Sequence, residues 1–68
     1  MSIHATRLSE ADVDQHIRDL VAVGTPEDLK TDAFWDRIKV FIASCGDHQD
    51  RMRLVPWWIK RKKESTGR

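Results

Sequence analysis

Three short polar residues, each followed three positions later by an aspartate, punctuate this chain: Ser9 with Asp12, Thr25 with Asp28, and Asp47 with Asp50. A Ser, Thr or Asp at a helix N-cap accepts a hydrogen bond from an unpaired N–H of the first turn. An acid three residues on reaches back to the cap and suits the positive end of the helix dipole. The spacing therefore predicts three helix starts within 68 residues, which leaves little chain for anything else.

The apolar residues between these signals repeat at helical spacing. Val13, Ile17, Leu20 and Val21 define one face, Leu8 and Val13 can staple across the Ser9 cap, and Gly24 supplies a stop. The first helix is expected over residues 10–23, with Asp12, Asp14, Gln15, Arg18 and Asp19 outward. The second start has Pro26 at its first helical position, where no backbone donor is needed. Its strong period comes later, in Phe34, Trp35, Ile38, Phe41, Ile42 and Cys45, a stripe roughly 120° wide. Leu29 falls off that stripe, so a short first turn, a break and a second cap at Thr31 are expected, with Gly46 ending the helix. Trp35, Ile38, Phe41 and Ile42 are assigned to the core, and Cys45 to the same apolar face as a buried free thiol.

After Asp47, Met52 and Val55 continue a helical period, but Pro56 interrupts it and biases Val55 away from helical geometry. The expectation is a short helix near 48–54, a bend, and a second helical piece near 56–64. No alternation of period two, internal repeat or low-complexity linker is present. The chain is thus predicted to be all-α, a small three- or four-helix bundle able to dimerise, with residues 1–64 as one domain and 65–68 as a fraying tail.

A chain this short buries only about 60% of the surface its unfolded state exposes. Its net stability is expected to be on the order of 3–10 kcal/mol, and a partner or second copy would add to it. Hydrophobic residues at 40% and charged residues at 34% fit an ordinary folded protein rather than a disordered one. No apolar run approaches membrane-spanning length, and Met1 to Glu10 is too polar for a signal peptide. The lone Cys45 cannot form an intramolecular disulfide, which suits a reducing, cytoplasmic location.

Catalytic and metal chemistry find little support. Cys45 and His48 have a spacing that can hold a metal, with His4 or His16 as distant partners, but the paired pattern of a structural zinc site is missing. The same Cys and His as a nucleophilic pair would place the thiol at a helix C-terminus, where the dipole and Asp47 oppose the thiolate. Acids at Asp12/Asp14 or Glu27/Asp28 are too close in sequence to converge on one helical face. The glycines stand alone, so no phosphate-cradling loop exists. No enzyme activity, cofactor or metal is expected.

The charge distribution is more informative. Residues 1–50 carry five basic and ten acidic side chains, net −5, whereas residues 51–68 carry seven basic against Glu64 alone, net +6; the whole chain is therefore +1. The basic part holds Val55-Pro56-Trp57-Trp58-Ile59-Lys60-Arg61-Lys62-Lys63, with two of the three tryptophans. Adjacent tryptophans diverge by about 100° on a helix, so both cannot point into one small core. An exposed Trp beside Arg or Lys is a common binding anchor. Arg53, Trp57, Trp58, Lys60, Arg61 and Lys63 are accordingly the expected partner-binding residues.

The blander alternative has Trp58 and Ile59 closing the bundle over Phe41, Trp57 covering an edge, and the lysines acting as a solubilising tail. Among partners, a protein with an acidic rim suits an aromatic anchor with a basic surround. A nucleic acid would use the cations on phosphates and Trp57 on a base, although the acidic first fifty residues oppose a broad basic footprint. A membrane surface is the weakest candidate, because so short a segment buries little area. A homodimer pairing acidic against basic parts would satisfy the same surface. The expected function is regulation or inhibition of a macromolecular partner, a protein first and a nucleic acid second.

Overall fold

The computed structural model describes residues 8–67, and among them every regular element is helical. Three α-helices, α1 (Glu10–Val23), α2 (Asp32–Cys45) and α3 (His48–Thr66), are joined by a 3-10 turn at Pro26–Lys30. α1 has the bounds its apolar period predicts. At its start Asp12 N donates to Ser9 Oγ at 3.2 Å, and Ser9 N donates to Asp12 Oδ2 at 2.9 Å. The second cap also forms as expected: Thr31 Oγ1 accepts from Phe34 N at 3.3 Å and donates to Asp28 O at 2.8 Å. The chain therefore makes a separate 3-10 turn before α2 begins.

One core unites the three helices. Val13 and Ile17 of α1, Phe34, Trp35, Ile38 and Ile42 of α2, and Leu54 and Trp58 of α3 are buried together with Leu8. Leu20, Val21, Leu29, Phe41 and Trp57 pack against this cluster while remaining partly exposed. Two indoles tie the layers together. Trp58 Nε1 donates to Trp35 O at 2.9 Å, and Trp35 Nε1 donates to Leu29 O at 2.8 Å, so hydrogen bonds run from α3 through α2 to the 3-10 turn. Each satisfies a donor whose burial would otherwise carry a penalty.

α3 departs from the sequence expectation. It runs without a break through Pro56 and reaches Thr66, so there is no bend separating 48–54 from 56–64. Proline cannot supply the N–H that Met52 O would accept, and its ring crowds that carbonyl. Both residues lie on the exposed side of the helix, where water can solvate the carbonyl. On the opposite side, burial of Leu54 and Trp58, four residues apart across the proline, holds the helix together. Ser65 and Thr66, expected to fray, continue the helix, which ends at Gly67 in the left-handed region with φ 75°. Arg68 and residues 1–7, including His4, lie outside the described residues.

Two further expectations need correction. Cys45 is exposed rather than buried. It sits centrally on the apolar stripe of α2, but that stripe outruns what packs on it, leaving an open cleft lined by Asp12, His16, Phe41 and Cys45. Phe41 is half-buried for the same reason, its ring stacked on His16 with centroids 3.9 Å apart. Gly46 ends α2 with φ −97°, an ordinary backbone region, so a left-handed cap does not explain it. Space does, because a Cβ there would meet Asp50 Cβ at 2.9 Å and Ile42 O at 3.0 Å. Gly46→Ala is expected to lower stability by about 1–3 kcal/mol, the usual cost of forced overpacking, measured by urea denaturation; an unchanged midpoint would show that the α2–α3 joint yields freely.

Candidate functional site

The six residues singled out from sequence all lie on α3, and the helix sends them in different directions. Trp58 belongs to the core at 7% exposure, so its ring is not part of the surface. The ammonium groups of Lys39 and Lys62 lie over it at 5.5 and 5.2 Å from the centroid. Lys62 also approaches Asp32 at 3.8 Å. Trp57 is half-buried on the flank facing α1, with the Arg61 guanidinium 5.1 Å from its ring centroid. Arg61 in turn pairs with Asp14 of α1. This bridge draws part of the basic segment onto the acidic helix within the same chain.

Arg53, though exposed, is tied into a second knot. Its Nη2 donates to Asp50 Oδ1 at 2.8 Å and to Leu8 O at 2.6 Å, while Leu8 N donates to Asp50 Oδ2 at 3.3 Å. Asp50 also accepts from Asp47 N at 3.3 Å, and Asp50 N donates to Asp47 Oδ1 at 2.9 Å, which completes the third predicted cap. Both backbone polar groups of buried Leu8 are thus satisfied by one acid and one arginine of α3. Burial of the Asp50 carboxyl pushes its pKa up, but the N–H groups of Leu8 and Asp47 and the Arg53 guanidinium outweigh burial and hold it below the ordinary carboxylate value.

Lys60 and Lys63 behave differently. Both are exposed, and neither enters an ion pair among the described residues, whereas Arg53, Arg61 and Lys62 each pair with an acid. The basic segment is therefore divided into cations used internally and cations free to act outward. Beside the free lysines lie Met52 at 66% and Ile59 at 46% exposure, with Pro56 exposed between them. Sequence reasoning missed Met52, Pro56 and Ile59 as a surface feature. Their spacing was visible, but a break assumed at Pro56 placed Met52 and Ile59 on separate pieces of chain.

His16, Asp12, Asp19 and Cys45 share the cleft between α1 and α2. The His16 ring stacks on Phe41, and no hydrogen bond joins it to the Cys45 thiol. Among the described residues, no group of three or more His, Cys, Asp or Glu side chains is placed to hold a metal ion. No helix among them is long and apolar enough to cross a membrane. No protein-family model, curated protein or solved structure matches the chain.

Proposed function

We propose that this protein is a non-enzymatic regulatory or inhibitory binding module whose three helices form a small bundle that presents the outer side of α3 to an acidic-rimmed protein partner. Trp57, Lys60 and Lys63 make direct contacts in this reading, while Arg53, Trp58 and Arg61 hold the surface in place from within. The observation that carries it is the division of charge on α3, where, among the described residues, Lys60 and Lys63 are the predicted cations of the site that pair with no acid. Positive side chains beside a partly exposed indole favour an acidic protein surface by steering encounter and supplying a rigid apolar contact. A cytoplasmic location, which would keep the exposed Cys45 thiol reduced, belongs to the same proposal.

Nucleic acid is the lesser alternative, because internal pairing of Arg53, Arg61 and Lys62 leaves few cations for phosphates. Partner capture from nuclease-treated extract tests the choice. Trp57→Ala is expected to lower capture about tenfold or more, and Lys60→Ala with Lys63→Ala to slow association, with the folded helix content of both variants retained. Wild-type capture by the folded Trp57→Ala protein would refute the Trp57 role. Binding that vanishes with nuclease, with a log–log salt slope near −0.9 per phosphate contact, would favour nucleic acid.

A further inference from the structure

Because α3 continues through Pro56, Met52, Pro56, Ile59, Lys60 and Lys63 fall on a single outer stripe. At 100° per residue they span about 100° of arc, centred opposite the buried Leu54 and Trp58. The apolar members Met52, Pro56 and Ile59 follow i, i+4, i+7 spacing, the repeat by which one helix lies along another. A solvated helix face has no need of two large exposed apolar side chains at this interval. Pro56 adds a chemical feature, since it has no N–H to offer Met52 O and that carbonyl lies on the exposed side.

Charge identifies what covers the stripe. Lys60 and Lys63 lie within it, and neither has an acidic partner among the described residues. The two acids of α3 are Asp50, which is buried in its knot with Arg53, and Glu64 at the stripe's edge. A second copy of α3 laid parallel along this face would set lysine near lysine, and an antiparallel copy would set the lysines against its apolar Met52 end, with no free carboxylate opposite them in either case. An acidic helix with an apolar seam would meet both needs, its leucine-like side chains on Met52, Pro56 and Ile59 and its carboxylates on Lys60 and Lys63.

We propose that the Met52–Pro56–Ile59 stripe is the docking line for an acidic amphipathic helix of a protein partner, with Lys60 and Lys63 setting the charge preference. This rests on the reading of α3 as a protein-binding surface and makes it specific. Trp57, on the flank toward α1, then borders the docked helix rather than lying beneath it.

A displayed library of amphipathic helical peptides, with leucine along one face and Glu or Lys randomised beside it, provides the probe. Selection on the whole protein is expected to enrich Glu-flanked peptides, and Ile59→Glu or Met52→Glu to weaken the selected peptide by about tenfold or more. Both positions are exposed, so the variants should melt like wild type; Ile59→Gln and Met52→Gln serve if either glutamate variant does not fold. Enrichment of Lys-flanked peptides, or of neither kind, would overturn the proposal. Glu-flanked peptides that tolerate both stripe variants but are lost with Trp57→Ala would overturn the docking line while leaving α3 as the acidic-partner surface. Self-association abolished by Ile59→Glu, or binding confined to phosphatidylserine vesicles, would assign the stripe to another occupant and overturn it.

Discussion

Trp58→Ala is expected to lower stability by about 3–5 kcal/mol, whereas Trp57→Ala costs far less and leaves the protein folded and deficient in binding. The two tryptophans are neighbours in sequence, yet Trp58 is 7% exposed and donates to Trp35 O, while Trp57 is half-buried with no buried hydrogen-bond role. Removing a core Trp side chain costs about 3–5 kcal/mol, comparable with the whole stability, on the order of 3–10 kcal/mol, of a chain this short. Trp58→Phe separates the contributions, since it keeps most of the apolar contact and loses the indole donor. It is expected to cost roughly 1–3 kcal/mol, largely through the smaller ring and the loss of the indole's hydrogen bond to the Trp35 carbonyl, and to retain partner capture. Urea denaturation followed by circular dichroism checks the ranking; a Trp58→Ala protein as stable as Trp57→Ala would show that the core is wrongly centred.

The second large effect concerns Asp50. Its carboxylate joins the chain before α1 to the start of α3, through Leu8 N, Asp47 N and Arg53. Because its pKa is held below the unfolded value of about 3.9, the ionised form contributes stability that is fully present above that value. The contribution is lost as pH falls through the lower, folded-state pKa. The Asp50 contribution to the melting temperature is therefore expected to be constant near neutrality and to decline as pH falls below about 4. Asp50→Leu would leave the N–H groups of Leu8 and Asp47 without their acceptor and Arg53 without its acid, and is expected to lower the neutral-pH melting temperature by about 10 °C or more. It should also flatten the acid slope. A variant that retains the wild-type slope would place the responsible group elsewhere.

Much of the fold is legible in local signals, and its failures share a cause. Ser9, Thr31 and Asp47 cap where they are expected to because a cap needs only residues three positions away. The apolar period of residues 10–23 is likewise complete within one helix. Pro56 misleads because its local bias toward a break is opposed by long-range burial of Leu54 and Trp58 on the far side of α3. Cys45 misleads because an apolar stripe says which face is inward but not how far its covering helix extends. The Asp50–Leu8 and Arg53–Leu8 bonds span 42 and 45 residues, and no spacing rule reaches across them.

The candidate site was legible as a region rather than as a set of contacts. Composition shows that residues 51–68 are basic and contain two tryptophans. It does not show that Asp14 and Asp50 take up Arg61 and Arg53, or that Asp32 approaches Lys62. Those acids come from α1, the beginning of α3 and α2, so the bipolar charge pattern is partly closed within the molecule. What remains outward is smaller than the segment suggests, with Lys60 and Lys63 beside Met52, Pro56 and Ile59.

The central claim is that these unpaired lysines serve a protein partner while the cations paired with acids serve the fold. Affinity capture from the protein's own cells, with wild type and Lys60→Glu/Lys63→Glu compared before and after nuclease treatment, tests it most directly. The account predicts a nuclease-resistant protein partner that is lost on charge reversal while the thermal melt stays close to wild type. Capture that survives charge reversal, or that disappears with nuclease, would contradict it.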